Sequence, residues 1–332
     1  MESKGQKFLV IGSNSFSGSN FVAHLLKKGM NVVGVSRSIE PHESFLPYKW
    51  QDHSSFKFFQ YDLNSDLDSI MQMIERERPE CVVNYAAQSM VAESWQNPEH
   101  WFQTNAVATV KFHDRLRKCD FLRKYVHVST PEVYGTCEGT IKEHTNYNPS
   151  TPYAVSRAAA DLSLSSFYKA YGFPVVFTRA ANVYGPGQQL YRIIPRTILF
   201  FMLGKKLHLH GGGRSVRSFI HIDDVSDGTL KIALNAPKGE IYHISTGRNL
   251  SIRELIEMIA DQMKVAFEDR VEIVGERLGK DSAYLLDSTK LHETLAWSPK
   301  IELEQGIEET IGWVRDNLDD LKRQHFDYIH KA

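Results

Sequence analysis

Short apolar runs alternate with amphipathic stretches through the first 180 residues. Lys7-Phe-Leu-Val-Ile11 is apolar on both faces, the mark of a strand buried in a parallel sheet, and Asn20 to Lys27 has helical spacing. The same signals predict strands over residues 7–12, 31–36, 56–61, 80–85, 124–129 and 174–180, with helices between them. Such alternation implies an α/β fold with a doubly wound parallel sheet covered on both faces. From about Asn182 the pattern is less regular. Gly211-Gly-Gly213 is turn chemistry, a strand and helix through His221 to Ala236 are expected to return to the first domain, and Ser251-Ile-Arg-Glu254 reads as a capping box. The expected division is a large domain of residues 1–181, rejoined by 219–248, and a smaller α/β domain of 182–218 plus 249–332. Residues 318–332 read as a charged tail of uncertain order.

Composition narrows the function classes. A chain of 332 residues, 42% hydrophobic, can bury a substantial core. Its 39 basic and 40 acidic residues give no bias towards nucleic acid or an anionic membrane. Cys81, Cys119 and Cys137 lack metal-ligand spacing and cannot all pair, which points to a reducing compartment. His208, His210, His221 and His243 form no metal pattern and read as structural. No apolar run approaches ~18 residues and the first residues lack a signal sequence, so a cytoplasmic location is expected.

Two segments carry candidate chemistry. Gly12-Ser-Asn-Ser-Phe-Ser-Gly18 joins the first strand to the first helix, the order of a dinucleotide site in which backbone N–H groups at a helix start hold pyrophosphate. Ser15 stands where a middle glycine would leave more room. The second segment is Ser129-Thr-Pro-Glu-Val-Tyr-Gly135, followed by Ser150-Thr-Pro-Tyr-Ala-Val-Ser-Arg157. Thr151 and Pro152 suit the N-cap and first turn of a helix over 152–171. Tyr153 and Arg157 then point from one face. A cation beside a phenol favours the phenolate, so Tyr153 is expected to have a lowered pKa and to serve as a general base, with Thr130 donating to the same substrate oxygen. After the second strand, Ser36-Arg37-Ser38 offers an arginine for a 2′-phosphate where an acid would bind ribose hydroxyls. This leaves both NAD and NADP open.

The chain resembles the extended short-chain dehydrogenase/reductase family, and within it the nucleotide-sugar dehydratases of the dTDP-glucose 4,6-dehydratase type. The matching residues are the glycine turn, Asn84-Tyr-Ala-Ala-Gln-Ser-Met-Val91, Thr104-Asn105, Ala181-Asn182-Val-Tyr-Gly-Pro-Gly-Gln188, Arg192-Ile-Ile-Pro195, Arg217-Ser-Phe-Ile-His-Ile-Asp-Asp224, Arg277-Leu-Gly-Lys-Asp281 and Leu295-Ala-Trp-Ser-Pro299. The resemblance implies a Rossmann domain with a smaller sugar-nucleotide domain. It implies a tightly bound NAD or NADP held by Gly12, Ser15, Phe16, Gly18, Arg37, Asp62, Leu63, Ala86, Asn105, Tyr153 and Arg157. It also implies a nucleotide-diphosphate sugar held by Ser89, Asn182, Arg192, Arg217 and Arg277. A homodimer is implied too, through the helix over 152–171 and one spanning roughly residues 98–118. From pattern alone, Ala158, Ala159, Ala160, Leu162 and Leu164 fit either that interface or the chain's own sheet.

Two departures limit what carries over. Family members have lysine four residues after the tyrosine, and this chain has Arg157. Guanidinium keeps the charge but is longer and planar. The dehydratases of dTDP-glucose carry Thr-Asp-Glu, whose aspartate protonates the departing C6 hydroxyl, whereas here the triplet is Thr130-Pro131-Glu132. The implied mechanism is C4 oxidation with Tyr153 as base, C5 deprotonation by Glu132, loss of water from C6 and return of hydride to C6. Return of hydride to C4 would make the enzyme a 5,6-dehydratase. A glucuronate-type decarboxylase, a 4-epimerase and a non-catalytic NAD(P)-binding regulator remain as alternatives.

Overall fold

The computed structural model describes residues 5–137, 139–275 and 285–331. Its first half alternates strand and helix: β1 (Lys7–Ile11), α1 (Phe16–Lys27), β2 (Asn31–Ser36), β3 (Phe56–Gln60), α2 (Leu67–Glu77), β4 (Cys81–Asn84), α3 (Pro98–Phe102), α4 (Thr109–Leu116), β5 (Lys124–Val128), the short β6 (Thr140–Ile141), α5 (Pro152–Tyr171) and β7 (Val175–Ala180). The predicted strands fall within a residue or two of these bounds, and α5 covers the predicted span. The helix expected over 98–118 differs. A π-turn, Gln103–Ala108, separates α3 from α4.

The second half contributes β8 (Asn182–Tyr184), α6 (Ile193–Met202), β9 (Leu207–His210), β10 (Val216–His221), α7 (Ile222–Asn235), β11 (Ile241–Ile244), β12 (Asn249–Ser251), α8 (Ile252–Met263), α9 (Phe267–Arg270), β13 (Val271–Val274), β14 (Leu285–Leu286), α10 (Thr289–Leu295), α11 (Leu303–Asp316) and α12 (Leu318–Leu321). Ser251 and Glu254 close the expected capping box at the start of α8.

Seven strands form one sheet in the order β11-β7-β5-β4-β1-β2-β3, every neighbouring pair parallel. The order reverses at β1 and β4, and ligands of such sheets bind beyond the carboxyl ends of the strands at that switch point. One face of the sheet is covered by a core including Phe21, Leu25, Ile232 and Trp297, and the other by Ile70, Phe112, Leu164 and Phe173. The return to the main sheet differs in part from the expected one. β10 pairs with β8 and β12 in a separate three-stranded sheet, and the strand that joins the main sheet is β11, after α7. A further core, with Ile194, Leu255, Ile259 and Trp313, joins α6, α8 and α11. Among the described residues no helix is long and apolar enough to cross a membrane, and no His, Cys, Asp and Glu group could hold a metal ion.

Candidate active site

The turn after β1 is tied to the strands beside it. Gly12 N–H donates to Val35 O at 2.7 Å and Tyr85 N–H to Ile11 O at 2.8 Å. Gly12 has φ +82°, and a Cβ there would lie 2.8 Å from Ala86 N. At Gly18 a Cβ would meet Gly12 O at 2.1 Å, so only glycine lets α1 start this close to the turn. Ser15 is the N-cap of α1. Its hydroxyl donates to Gly12 O at 2.7 Å and accepts from Gly18 N at 3.1 Å. The side chain that was expected to crowd the phosphates is folded into the turn.

Beside this turn lies a cavity of about 660 Å³, lined by Gly12, Ser15, Arg37, Asp62, Leu63, Ala86 and Ser89 among others. The residues present fit a dinucleotide: a glycine cradle that a Cβ would fill, a capped helix N-terminus and a cavity of this size at the switch point. Asn105, in the π-turn, is fully buried behind it. Its amide donates to Gln88 O and Ser156 Oγ, both at 3.0 Å, and accepts from Gln88 N at 2.8 Å. Asn105 therefore shapes the cleft through Gln88 and does not line it. The π-turn supplies the extra residue that aims its side chain at both partners.

A second cavity of about 560 Å³ shares Ser15, Tyr85, Ser89 and Tyr191 with the first. Its walls include Phe16, Thr130, Glu132, Tyr153, Arg157, Asn182 and Arg192. Thr130 follows β5 and caps the 3-10 turn Pro131–Tyr134, accepting from Glu132 N–H at 3.3 Å. Thr151 caps α5 by accepting from Ala154 N–H at 3.1 Å, with Pro152 in the first turn. These two caps bring Tyr153 to a hydrogen bond with Thr130 and into the electrostatic reach of Glu132. Asn182 donates to Ser218 O at 3.1 Å, which bridges β8 and β10. Arg217 donates to Val216 O on β10 and is not in either cavity wall, and Arg277 lies outside the described residues.

The electrostatics correct one expectation. The Tyr153 phenol is pushed up, not down. Burial is the largest cause and the Glu132 carboxylate adds to it; Arg157, Thr130 and Arg192 act in the opposite sense without prevailing. The sign expected for Arg157 is right, but a nearly enclosed phenol loses more from desolvation than one cation returns. Arg157 also has other partners. It is almost wholly buried, donates to Val128 O, and lies 3.4 Å from His127 Nε2.

Beneath the site is a buried polar network that the sequence reading missed. Asp161, one turn beyond Arg157 on α5, accepts from Arg179 Nη2 at 2.7 Å and from Ser129 Oγ at 2.8 Å, and its other oxygen is 3.4 Å from His127 Nε2. Burial, reinforced by Arg157, His113 and Arg179, holds His127 neutral, far below its ordinary pKa. A carboxylate amid an alanine-rich helix, with an arginine ending a valine-rich strand, was the available signal. The segment after α12 was missed as well. Its Tyr328, Ile329 and Lys331 line the first cavity.

The parallel sheet with its glycine turn at the switch point and the Tyr, Thr and Glu cluster beside it were compared with known nucleotide-sugar enzymes. A family model described as GDP-mannose 4,6 dehydratase matches residues 9–310, and the chain belongs to that family within the extended short-chain dehydrogenase/reductases. The dTDP-glucose 4,6-dehydratase of Streptomyces antibioticus is 32% identical over 320 residues, 93% of this chain and 92% of the relative. A solved dTDP-glucose 4,6-dehydratase from Streptomyces venezuelae, with NAD bound, superposes with a TM-score of 0.87 at 29% identity, covering 95% of this chain and 98% of that one. UDP-glucose 4-epimerase from Thermotoga maritima, solved with UDP-glucose, is similar at a TM-score of 0.86 and 26% identity, covering 94% and 100%.

Proposed function

We propose that this protein is a nucleotide-sugar 4,6-dehydratase. The observation that carries the reading is the shared wall on which Thr130, Glu132 and Tyr153 face one cavity contiguous with the glycine-turn cleft. Gly12, Ser15, Phe16, Gly18, Arg37, Asp62, Leu63 and Ala86 would hold the dinucleotide, with Asn105 fixing the Gln88 wall. Ser89, Asn182 and Arg192 would hold the nucleotide-diphosphate sugar. Arg277 and Arg217 are assigned to it by motif alone.

A bound nicotinamide supplies reversible hydride acceptance. The chain's own groups manage the protons. Tyr153 takes the proton of the C4 hydroxyl, steadied by Thr130 and by the positive charge of Arg157. Glu132 then takes the C5 proton, which an adjacent C4 ketone makes acidic. Pro131 has no proton for the C6 leaving group, so Glu132, once protonated, or a water supplies it. Water loss from C6 leaves a C5=C6 double bond conjugated with the C4 ketone, and return of the hydride to C6 with a solvent-derived proton to C5 would give the 4-keto-6-deoxy sugar and restore the cofactor's oxidation state.

Pro131 also favours one second reading, a 5,6-dehydratase whose product keeps an exocyclic C5=C6 double bond. Incubating a panel of sugar nucleotides with the enzyme and following loss of one water by mass tests the main reading. Deuterium at substrate C4 separates the two, ending at C6 in the first and at C4 in the second. Release of carbon dioxide, or an isomer of unchanged mass, would instead support a decarboxylase or an epimerase. Dinucleotide binding without conversion of any sugar nucleotide would leave a regulatory protein.

A further inference from the structure

The buried network beneath the site closes a ring around the segment that carries Thr130 and Glu132. Its centre is Arg179 of β7, fully buried together with Asp161 of α5. One arm of the guanidinium, Nη2, donates to Asp161 Oδ2 at 2.7 Å, and the same oxygen accepts from Ser129 Oγ at 2.8 Å. The other arm, Nη1, donates to Tyr134 Oη. Ser129 stands just before Thr130, and Tyr134 ends the turn that carries Glu132, so one ion pair grips both ends of residues 129–134.

The Tyr134 hydroxyl is committed on both sides. It lies 2.8 Å from His243 Nε2, while His243 Nδ1 lies 3.1 Å from Asp287 O. A backbone carbonyl only accepts, so Nδ1 carries the ring proton and Nε2 accepts from Tyr134. Burial, with Arg179 nearby, holds this ring neutral. The phenol therefore accepts from Arg179 and donates to His243, and the same guanidinium lies over its ring, 4.7 Å from the centroid. Tyr134, Asp161 and Arg179 line neither cavity, so what they govern is the placement of groups that do. Asp161 shares α5 with Tyr153, which refers the Glu132 turn to the helix that presents the general base.

We propose that Arg179 and Tyr134 are positioning residues for Glu132: their hydrogen bond holds the Pro131–Tyr134 turn where the carboxylate reaches the C5 proton. The proposal rests on the dehydratase reading and separates its two proton transfers, since the Ser129 tie serves Thr130 and C4 oxidation instead. In that reading hydride leaves C4 before Glu132 acts, so slowing Glu132 alone leaves the nicotinamide reduced for longer. The test uses the full-length holoenzyme with a panel of dTDP-glucose, UDP-glucose and GDP-mannose. Tyr134→Phe removes one oxygen and keeps the ring. Turnover is expected to fall roughly tenfold, the scale of a small misplacement, with KM and dinucleotide affinity within about twofold. On mixing with sugar nucleotide, absorbance of the reduced nicotinamide should build up above that of the unaltered protein. Ser129→Ala should lower turnover without that build-up. With no sugar nucleotide present, amide hydrogen exchange over residues 132–135 should rise in Tyr134→Phe and stay unchanged along α5. If Tyr134→Phe does not fold, Arg179→Lys, which keeps a cation beside Asp161 and gives up the arm to Tyr134, is read by the same signature. Unchanged turnover, a loss without build-up of reduced nicotinamide, or unchanged exchange in the turn overturns the proposal. Failure of the unaltered protein to convert any sugar nucleotide would overturn the dehydratase reading itself, and this proposal with it.

Discussion

Arg157 donates a hydrogen bond to the carbonyl oxygen of Val128, and so ties the helix that carries Tyr153 to the end of the strand that runs into Thr130 and Glu132. One guanidinium therefore has two tasks. It holds α5 against β5, and its charge opposes the burial that drives the phenol upward. Its planar fork suits this double engagement better than a single ammonium would.

Replacing Arg157 separates these tasks. In Arg157→Met the phenol loses its largest opposing charge and its pKa rises further, so the ascending, acid-side limb of the rate profile moves to higher pH and the rate at neutral pH falls. Arg157→Lys keeps the charge and is expected to fall between the two. Initial rates across pH and dinucleotide affinity for both variants check this. Unaltered values in Arg157→Lys would exclude a special role for the guanidinium.

Asp161 is fully buried and pairs with the equally buried Arg179, which is also hydrogen-bonded to Tyr134 and Tyr147. Asp161→Ala strands that guanidinium and the Ser129 hydroxyl. Loss of one partner from such a pair costs about 3–5 kcal/mol. Chemical denaturation should show a loss of this order, whereas a change below about 1 kcal/mol would mean that the network contributes little to stability.

Acid should destabilise the fold early. Burial lowers His113 to about 3 and His243 to about 3, and takes His127 well below its ordinary value. In the unfolded chain all three accept protons below about pH 6.5, so the unfolded state binds more protons than the folded one there. The stabilisation is complete above that pH and declines as pH falls towards the folded values. Each histidine contributes a slope of up to about 1.4 kcal/mol per pH unit. Denaturation midpoints at pH 7.5, 6 and 5 test this, and His113→Gln should give a shallower decline.

The helices flanking the site leave apolar side chains in water. Phe102 is 38% exposed, Val107 43%, Val155 38% and Leu162 52%, while Ala158, Ala160 and Leu164 are buried within the chain. The alanine-rich helix thus serves its own sheet with one face, and its outward face is the proposed dimer contact. Light scattering should give a dimer mass, and Leu162→Glu a monomer. A monomer at all concentrations of the unaltered protein would refute the contact.

The main sheet was legible because its central strands are buried on both faces and read as apolar runs, as in Lys7–Ile11 and Cys81–Asn84. The position of Tyr153 was legible because Thr151 and Pro152 mark the start of its helix, whereas Glu132 was singled out only through the resemblance to the family's triplet. The direction of the Tyr153 shift was not, because desolvation depends on what packs around the ring and not on its neighbours in sequence. Asp161, Arg179 and His127 meet only through the register of β5 and β7 beneath α5. Lys331 reaches Arg37 across 294 positions of chain, a contact that no local pattern encodes.

The central claim is that Glu132 removes a proton from the carbon next to a transient ketone. Turnover in deuterium oxide, with mass and NMR analysis of the product from the unaltered protein and from Glu132→Gln, tests it most directly. The account predicts a product that has lost one water and carries solvent deuterium at C5, with formation at least ~100-fold slower in the variant. A dehydrated product formed by Glu132→Gln at an unchanged rate would contradict it.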